Sequence, residues 1–465
     1  MYKHGDFMTE HSPGVQQYIE RGKALEAERA ARRTAMRHKK FDTIAVHGVY
    51  DMQTATASEG SIIEPVYLSS AEHYDNSDHL EAALSSLMPS WIYTRIANPT
   101  IHYLEETLAL LEGYRFDGEA SAFVTASGNA AVFLATVPFL SHNGQPMNIV
   151  AQARCYGGTF QILSQRHGVE RGVEVRWVRD PSNLDEWASQ IDANTRFLYG
   201  EMPSNPSLTV LPIAQVAAVA HAHGLPLIVD ATIATPALMR PLEHGADVVV
   251  HSLTKSIASG GHSMAGAVIA RHGLPSRIGP DALRENFAHY TKRVLARDYG
   301  PSLSPLNALM VLNDLRTLRH RMDFLSRNSM TVARYLEQHP KIEAVLYPGL
   351  ESFEGYTLAQ QQMWLVDGAE DGSAVNRYGH LMSFMPKGGV PAARKLFDAF
   401  QMIWRATDLG RIKSIATIPA ISTHQQQGET GRDLAGIPAH LIRFNIGGEH
   451  PDDIIADLEQ ALDAI

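Results

Sequence analysis

From about residue 64 to 300, short apolar runs alternate with helical patterns, and few folds are compatible with this alternation. The runs include NIV near residue 149, RFLYGEM near 199, LPLIVD ending at 230, ADVVVHS and AGAVIA. Continuously apolar runs are typical of strands buried on both faces, so they predict a parallel or mixed sheet covered by helices. Ligands of such α/β folds bind at the carboxyl ends of the strands. Asp230 and Lys255 both lie just beyond predicted strand ends.

The regions on either side of this α/β segment have different patterns, and we predict three parts: an N-terminal helical arm (1–63), a large domain (64–300) and a smaller C-terminal α+β domain (301–465). Residues 14–40 predict an exposed helix, suited to packing on a partner subunit. Its basic end, Arg37 to Lys40, is interpreted as a solvated helix end rather than a nucleic-acid site. SPLNALMVLNDLRTLRHRM predicts one long amphipathic helix, and Pro451 with two aspartates predicts the start of the last helix.

Composition excludes several classes of protein. The 465 residues carry a net charge of -10, which argues against a general binder of nucleic acid or anionic membranes. No apolar run reaches the roughly 20 residues that span a bilayer, and the N-terminus lacks a secretory signal pattern. The single cysteine, Cys155, suits a reducing compartment. We therefore expect a cytoplasmic globular protein, and we predict no metal site.

Lys255 lies in an unusual setting, after three valines and between a Ser-Leu-Thr and a Gly/Ser-rich turn. A desolvated lysine at a strand end can lose its proton and attack a carbonyl group. Ser252 and Thr254 alternate with it and are placed to bind a phosphate, while Asp230 needs a charged or protonated partner. A Schiff-base lysine, phosphate-binding hydroxyls and an acid for a pyridine nitrogen are what pyridoxal phosphate requires. A lysine at a surface turn and a capping aspartate remain the alternative at this point.

Three further segments add candidate cofactor contacts. TASGNAAVFLAT predicts a helix start at which the amides of Gly128 and Asn129 bind an anion. CYGGTF places Tyr156 where its ring can stack on a flat cofactor, although a core tyrosine is the alternative. WIYTRIANPT places Tyr93 and Arg95 on one side of an extended segment, within reach of a phosphate or in a surface ion pair.

In order along residues 43–465, these motifs resemble the Cys/Met-metabolism family of pyridoxal-phosphate enzymes. That family contains cystathionine γ-synthase, the cystathionine lyases, methionine γ-lyase and O-acetylhomoserine sulfhydrylase. The motifs are YTRIANPT, ASGNAA, YGGT, EMPSNPS, VDATIATP, HSLTK and LIRFNIGGEHPDDIIADLEQAL. The resemblance implies the aspartate-aminotransferase-type fold (fold type I), a homotetramer of catalytic dimers, and pyridoxal 5'-phosphate as cofactor.

The resemblance also implies roles for individual residues. Lys255 carries the cofactor as a Schiff base and moves protons, Asp230 keeps the pyridine nitrogen protonated, and Tyr156 stacks on the ring and protonates the leaving group. Tyr93 and Arg95 contact the phosphate of a neighbouring subunit's cofactor. Arg443 holds the substrate α-carboxylate, and Asn205 lies in the substrate site.

The implied reaction is γ-elimination or γ-replacement on a γ-substituted L-amino acid, either homoserine-derived or sulfur-containing. Two alternatives remain: a β-lyase acting on cystathionine or a related thioether, and a non-catalytic regulatory protein that binds the cofactor. The intact set of Lys255, Asp230, Tyr156 and Arg443 argues against the regulatory protein.

Departures from the family pattern bear on the substrate. Gly158 stands where methionine γ-lyases carry a cysteine, which disfavours that identity. In DLGRIKSIATIPAISTH, Asp408 replaces a serine and Lys413 a glutamate. An acid facing the substrate would pair with a cationic leaving group, as in an ornithine- or canavanine-like amino acid. The alternative is that Asp408 pairs with Arg405, Arg411 or Lys413 and never touches substrate.

Overall fold

Two β-sheets organise the chain, of which a computed structural model describes residues 11–140 and 144–465. The strands of the larger sheet are β1 (Ala120–Thr125), β2 (Met147–Gln152), β3 (Val173–Val178), β4 (Thr195–Glu201), β5 (Leu227–Asp230), β6 (Val248–His251) and β7 (Gly266–Arg271). They lie in the order β1-β7-β6-β5-β4-β2-β3. Strands β6, β5, β4, β2 and β3 pair in parallel, whereas β7 is antiparallel to both of its neighbours. The predicted mixed, mostly parallel sheet is confirmed.

The apolar runs form strands because both faces of this sheet are covered. In β6, Val248 and Val250 pack into one hydrophobic cluster, and Val249 packs into another on the opposite face. All three side chains are fully buried. A strand with two buried faces has no polar alternation, which is the pattern seen in the sequence.

Thirteen α-helices accompany this sheet in the described residues up to 300. They are α1 (Pro13–Arg37), α2 (Phe41–His47), α3 (Met52–Ala57), α4 (Ser77–Leu84), α5 (Pro99–Glu112), α6 (Gly128–Thr136), α7 (Gly157–Gln161), α8 (Leu184–Ser189), α9 (Ile213–Ala222), α10 (Thr235–Leu238), α11 (Asp281–Glu285), α12 (Phe287–Thr291) and α13 (Arg297–Tyr299). Helix α7 continues as π-helical turns over Ile162–Val169, and Lys292–Ala296 forms π-helical turns between α12 and α13.

Helix α1 is largely exposed, as predicted, and is capped by Ser12, whose Oγ accepts a hydrogen bond from the Val15 amide at 3.1 Å. It packs on its own chain, where Val15 joins Ala82 and Met88 in a small apolar cluster. At its basic end, Arg37 pairs with Glu119 at 2.6 Å. Packing of this helix on a partner subunit stays a prediction, and residues 1–10 of the predicted arm lie outside the described residues.

The smaller sheet contains β8 (Ile342–Leu346), β9 (Leu381–Pro386), β10 (Trp404–Arg405), β11 (Ile415–Thr417) and β12 (Ile442–Asn445), in the order β10-β11-β12-β9-β8. Its pairs are antiparallel except for β10 with β11. The later helices are α14 (Pro305–Leu315), α15 (Leu318–Gln338), α16 (Tyr356–Gln362), α17 (Gly389–Ala399), α18 (Gly428–Leu434) and α19 (Pro451–Leu462). The predicted start of the last helix at Pro451 is confirmed. The three-part domain division stays a prediction.

The single long helix predicted from SPLNALMVLNDLRTLRHRM is wrong, because the chain breaks it between α14 and α15. Thr317 leaves the helical region (φ -111°, ψ 11°), and its amide bonds the Asp314 carbonyl in a tighter turn. The break lets both Leu315 and Leu318 become fully buried. Burial of two leucines outweighs one continuous helix, and the apolar spacing alone cannot reveal such a turn.

The two sheets share one hydrophobic cluster. Val229 of the larger sheet lies in the same cluster as Phe384 and Phe444 of the smaller sheet. This packing brings the smaller sheet against the carboxyl-end loops of β4, β5 and β6. Within residues 11–140 and 144–465, no helix is both long enough and apolar enough to cross a membrane.

Candidate active site

The candidate site lies at the carboxyl edge of the parallel strands. Glu201 ends β4, Asp230 ends β5, and the loop carrying Lys255 follows β6. Glu201 and Asp230 are paired residues on neighbouring strands, and both are buried. Because parallel strands end at the same edge, their terminal side chains converge. Asp230 and Lys255 therefore lie at this edge of the sheet, as predicted.

Lys255 points toward the smaller sheet. Its Nζ donates a hydrogen bond to Asp408 Oδ1 at 2.6 Å, and about a quarter of its side chain is exposed. Burial lowers the pKa of Lys255, while the Asp408 carboxylate acts in the opposite direction. A lysine whose ammonium is partly desolvated deprotonates more readily, which is the property required of a nucleophilic or basic amine.

Asp408 pairs with two cations. Besides Lys255 it bonds Arg411, whose Nη1 also donates to the carbonyls of Thr254 at 2.6 Å and Ala258 at 3.0 Å. Burial raises the pKa of Asp408, but Lys255 and Arg411 outweigh it, so the pKa lies below its ordinary value. The Asp408 carboxylate is thus kept ionised where its own loop meets the loop that carries Lys255.

Of the three partners proposed for Asp408, only Arg411 forms an ion pair with it in the described residues. Arg405 instead donates to the backbone carbonyls of Asp398 and Phe400, and Lys413 lies over the Trp404 ring at 4.8 Å from its centroid. The contact of Asp408 with Lys255 was not predicted. It joins residues 153 apart in the chain, so no local pattern could indicate it.

Asp230 is held through one of its oxygens. Its Oδ1 accepts hydrogen bonds from the Thr232 amide at 3.0 Å and the Thr232 hydroxyl at 2.6 Å. Thr232 Oγ1 in turn accepts from the Ser252 amide at 2.8 Å. Burial raises the pKa of Asp230, partly offset by Thr232. No hydrogen bond reaches Oδ2 from the described part of the chain, so this oxygen is available to a protonated ligand.

The start of helix α6 lies against the loop after β6. Ser127 caps the helix, with Oγ accepting from the Ala130 amide at 3.2 Å. The amides of Gly128 and Asn129 and the hydroxyl of Ser252 make no hydrogen bond among residues 11–140 and 144–465. A Cβ on Gly128 would lie 2.6 Å from the Ser252 Cβ, so glycine is needed for this close approach. Free amides at a helix start form an anion site.

The predicted phosphate contact of Thr254 competes with another bond. Its hydroxyl donates to the Ala265 carbonyl at 3.1 Å and accepts from the Ala265 amide at 3.0 Å. The hydroxyl therefore ties the Lys255 loop to the start of β7. A phosphate contact of Thr254 stays a prediction.

Tyr156 is partly buried beside residues of both sheets. Its ring meets the His424 ring edge to face, with centroids 6.5 Å apart, and burial raises the pKa of the Tyr156 hydroxyl. A Cβ on Gly158 would lie 2.5 Å from the Tyr156 ring and 3.1 Å from the Asn129 side chain. The ring thus uses the space that a larger residue at 158 would need, which gives the Gly158 departure a steric consequence.

Arg443 is almost completely buried, at 1% exposure, and it forms no ion pair in the described residues, although the Asp408 carboxylate lies near enough to raise its pKa. Its Nη2 donates to the carbonyls of Thr407 at 2.9 Å and Asp408 at 2.8 Å, and its Nη1 lies 3.5 Å from Asn205 Oδ1. Its Nε is buried without a partner in that same part of the chain. Burial lowers the pKa of Arg443 to about 10. A buried guanidinium with no carboxylate bound to it directly favours an anionic ligand.

Tyr93 and Arg95 lie apart from these contacts. The Arg95 guanidinium lies 5.3 Å from the Tyr93 ring centroid and donates to the Arg297 carbonyl. Tyr93 is 48% exposed. No hydrogen bond or ion pair of the described residues joins this pair to Lys255 or Asp230. The surface ion pair considered as the alternative is absent from the described contacts, and the role toward a neighbouring subunit stays a prediction.

Three site residues were not identified from the sequence. Glu201 carried the same signal as Asp230, an acid at the end of a buried strand, and could have been recognised in that way. Thr232 lies within the VDATIATP motif but shows no signal of its own. His424, in which burial lowers the pKa to about 4, reaches Tyr156 only through the packing of the smaller sheet.

Comparison with known proteins gives one consistent result. The sequence profile of the family described as Cys/Met metabolism PLP-dependent enzyme matches residues 42–463. The chain is 36% identical to the L-methionine gamma-lyase of Pseudomonas putida, with 91% of this chain and 97% of that protein covered. It is 35% identical to the O-acetyl-L-homoserine sulfhydrylase of Leptospira meyeri, with 92% and 97% covered.

A solved structure from Campylobacter jejuni, assigned as O-acetylhomoserine (thiol)-lyase, has a TM-score of 0.81 and 32% identity. The match covers 91% of this chain and 100% of that chain. That structure contains N'-pyridoxyl-lysine-5'-monophosphate in place of one lysine.

Proposed function

The chain belongs to the Cys/Met-metabolism family of pyridoxal-phosphate-dependent enzymes, and from this premise we propose that it catalyses γ-elimination or γ-replacement on a γ-substituted L-amino acid. The observation that carries the proposal is that Asp408 contacts both Lys255, the proposed base, and Arg443, the proposed carboxylate-binding residue. Its carboxylate binds Lys255 at 2.6 Å, and its backbone carbonyl binds Arg443 at 2.8 Å. An amino acid whose carboxylate is bound by Arg443 therefore lies beside Lys255.

The residues of the site fit the family's cofactor, pyridoxal 5'-phosphate. The free amides of Gly128 and Asn129 with the Ser252 hydroxyl suit a phosphate, and Asp230 Oδ2 suits a protonated pyridine nitrogen. The close approach of Gly128 to Ser252 leaves no room for a side chain in this cradle. Tyr156 would stack on the ring, and Lys255 would form the covalent bond.

The reaction then uses the side chains in distinct ways. The cofactor, when bound, supplies an electron sink for charge that develops on the substrate carbons. Arg443 binds the α-carboxylate, for which its unpartnered Nε and weakly bound Nη1 remain available. Neutral Lys255 accepts the Cα proton and can also move the Cβ proton, because it is the mobile base on that side. Asp408 stabilises Lys255 after it gains a proton, and Tyr156 donates a proton to the leaving group.

Relatives of this chain support both reaction outcomes. One is an L-methionine gamma-lyase and another an O-acetyl-L-homoserine sulfhydrylase, at nearly equal identity. Gly158, whose space is used by the Tyr156 ring, favours the homoserine-derived substrates over methionine.

A second candidate substrate class is favoured by Asp408. Its carboxylate is ionised and partly exposed, at 31% of the side chain, next to Lys255. While Lys255 is neutral, Asp408 has only Arg411 as a charged partner and can pair with a cationic γ-substituent, as in canavanine. Asp408→Ser should then lower kcat/KM for canavanine about 10- to 100-fold more than for O-acetylhomoserine. Equal losses for both substrates would contradict a contact of Asp408 with the γ-substituent and leave it a role through Lys255 alone.

The main test is a substrate panel with the purified, cofactor-loaded enzyme. The panel contains L-methionine, L-cystathionine, L-canavanine, and O-acetyl-L-homoserine with and without sulfide. Release of 2-oxo acid and ammonia reports elimination, and a new thiol amino acid reports replacement. Lys255→Ala should abolish turnover of every substrate. Turnover restricted to β-substituted substrates, or none with any amino acid, would contradict the proposal.

We further propose a homotetramer built from catalytic dimers and a cytoplasmic location. Exposure of Tyr93 and Arg95 supports a site completed by a neighbouring subunit. The chain has a single cysteine, Cys155, so no disulfide can form within it, which supports a reducing compartment such as the cytoplasm.

A further inference from the structure

The strongest unassigned group near the site is the carboxylate of Glu201. This residue ends β4 and is 4% exposed. Burial and the neighbouring Asp230 raise the pKa of Glu201 well above its ordinary value. A second acid beside Asp230 costs free energy, because two carboxylates close together in a buried site repel each other. Such a cost needs a compensating set of bonds.

Both oxygens of Glu201 accept short hydrogen bonds from backbone amides. Oε2 accepts from the Tyr156 amide at 2.7 Å, and Oε1 accepts from the Asn205 amide at 2.7 Å. Tyr156 belongs to the loop after β2, and Asn205 to the loop after β4. One side chain therefore joins two loops that leave different strands.

Each of these loops carries a side chain of the site. The Tyr156 ring lies against Gly158 and faces His424, and the side-chain Oδ1 of Asn205 lies 3.5 Å from Arg443 Nη1. A shift of the Tyr156 amide moves the ring, and a shift of the Asn205 amide alters the surroundings of Arg443. Glu201 itself makes no hydrogen bond to Lys255, Asp230 or Arg443 within residues 11–140 and 144–465.

A glutamine would occupy nearly the same volume as Glu201 but has only one acceptor oxygen. Its amide nitrogen would face a backbone N–H, so one of the two loops would lose its acceptor and a buried donor would remain unpaired. The carboxylate is therefore the side chain that can accept from both loops at once.

We propose that Glu201 is a positioning residue that sets the placement of Tyr156 and Asn205, and through them the cofactor-ring contact and the carboxylate-binding site. The proposal rests on the proposed function only for the roles of Tyr156 and Arg443. Glu201 acts through backbone amides and touches no reacting atom.

The test compares Glu201→Gln and Glu201→Leu with wild type in the cofactor-loaded enzyme, using two readouts that need no turnover. The visible circular dichroism of the bound cofactor reports the Tyr156 ring. The Kd for glycine, measured from the shift of the cofactor band, reports Arg443, because glycine has no γ-substituent. We expect the leucine variant to change both readouts, with the Kd raised about 10- to 100-fold, and the glutamine variant to change at least one.

The matched control is Asp457→Asn. Asp457 is also buried and its carboxylate accepts from three backbone amides, those of Gln401, Met402 and Ile403, in the C-terminal part of the chain. The control should leave both readouts as in wild type. The proposal is overturned if the glutamine variant keeps the wild-type dichroism and a glycine Kd within about twofold, or if the control variant gives the same changes. Because glycine carries no leaving group, this result does not depend on which substrate the enzyme turns over.

Discussion

At Lys255, two physical effects act on the same amine in opposite directions. Burial lowers its pKa, and the Asp408 carboxylate at 2.6 Å raises it. The balance leaves an amine that deprotonates more readily than a free lysine while its side chain stays held in one place. Burial raises the pKa of Asp408, but Lys255 and then Arg411 outweigh it, so that carboxyl has a lowered pKa and is a poor proton acceptor.

Asp408→Asn should therefore make Lys255 deprotonate at lower pH. The change removes the negative charge that favours the ammonium form but leaves Arg411, which disfavours it. Only the neutral amine attacks the aldehyde of the cofactor, so the rate of loading the apoenzyme with pyridoxal phosphate should rise at lower pH than in wild type.

The measurement is the loading rate, followed by absorbance, across a pH series. Asp463→Asn serves as control, because Asp463 is exposed and pairs loosely with Lys341 at 3.9 Å. An unchanged or raised midpoint in Asp408→Asn would contradict the electrostatic role of Asp408.

Among the single elements, helix α6 packs so closely against the loop after β6 that no side chain fits at Gly128. Gly128→Ala places a Cβ 2.6 Å from the Ser252 Cβ and 3.0 Å from its Cα, so either the helix start or the loop must move. Overpacking of this kind costs about 1–3 kcal/mol. The displacement would affect the proposed phosphate-binding groups directly. We expect the Kd for pyridoxal phosphate to rise about 5- to 100-fold.

The control for this change is Gly168→Ala, where the nearest atom to a new Cβ is 3.4 Å away. Both variants are titrated with pyridoxal phosphate after removal of the bound cofactor. If Gly128→Ala binds the cofactor as tightly as Gly168→Ala, the assignment of the α6 start as the phosphate site is wrong.

At the scale of the whole molecule, the smaller sheet completes the site. Gly410, with φ +76°, lies so close to the Lys255 loop that a Cβ would approach the Ser256 amide to 2.4 Å. Its amide donates to Asn445 Oδ1 at 2.7 Å, which ties this approach to β12. The Asp408 contact with Lys255 therefore depends on how the two sheets pack.

A shared site between subunits predicts complementation. Arg95→Ala alone should weaken cofactor retention, and Lys255→Ala alone should abolish turnover. In a mixed dimer, one of the two sites would contain both an intact Lys255 and an intact Arg95 from the other chain. After random 1:1 exchange about half of the dimers are mixed and each has one intact site of two, so activity should reach up to about a quarter of the wild-type value per chain.

Activity is measured after subunit exchange, which is verified separately with differently tagged chains. As control, Lys255→Ala is mixed with Lys255→Asn, a pair that can form no intact site. Absence of rescue after verified exchange would contradict a site shared across subunits.

The large sheet and the position of its functional edge could be predicted from the amino-acid sequence. Strands buried on both faces must be continuously apolar, so they are visible in the sequence, and parallel strands must end at one edge, so Asp230 and Lys255 must lie there. The family motifs then indicated the cofactor. The break after Leu315 was missed, because the apolar spacing continues across it.

The groups that meet Lys255, Tyr156 and Asn205 could be identified only in the folded chain. Asp408 reaches Lys255 across 153 residues of chain, and Glu201 joins loops whose amides carry no sequence signal. Periodicity records which face of an element is buried, but it does not record what is packed against that face. That pairing is set by the shared hydrophobic cluster between the two sheets, which brings the loop of residues 408–411 onto the loop that carries Lys255.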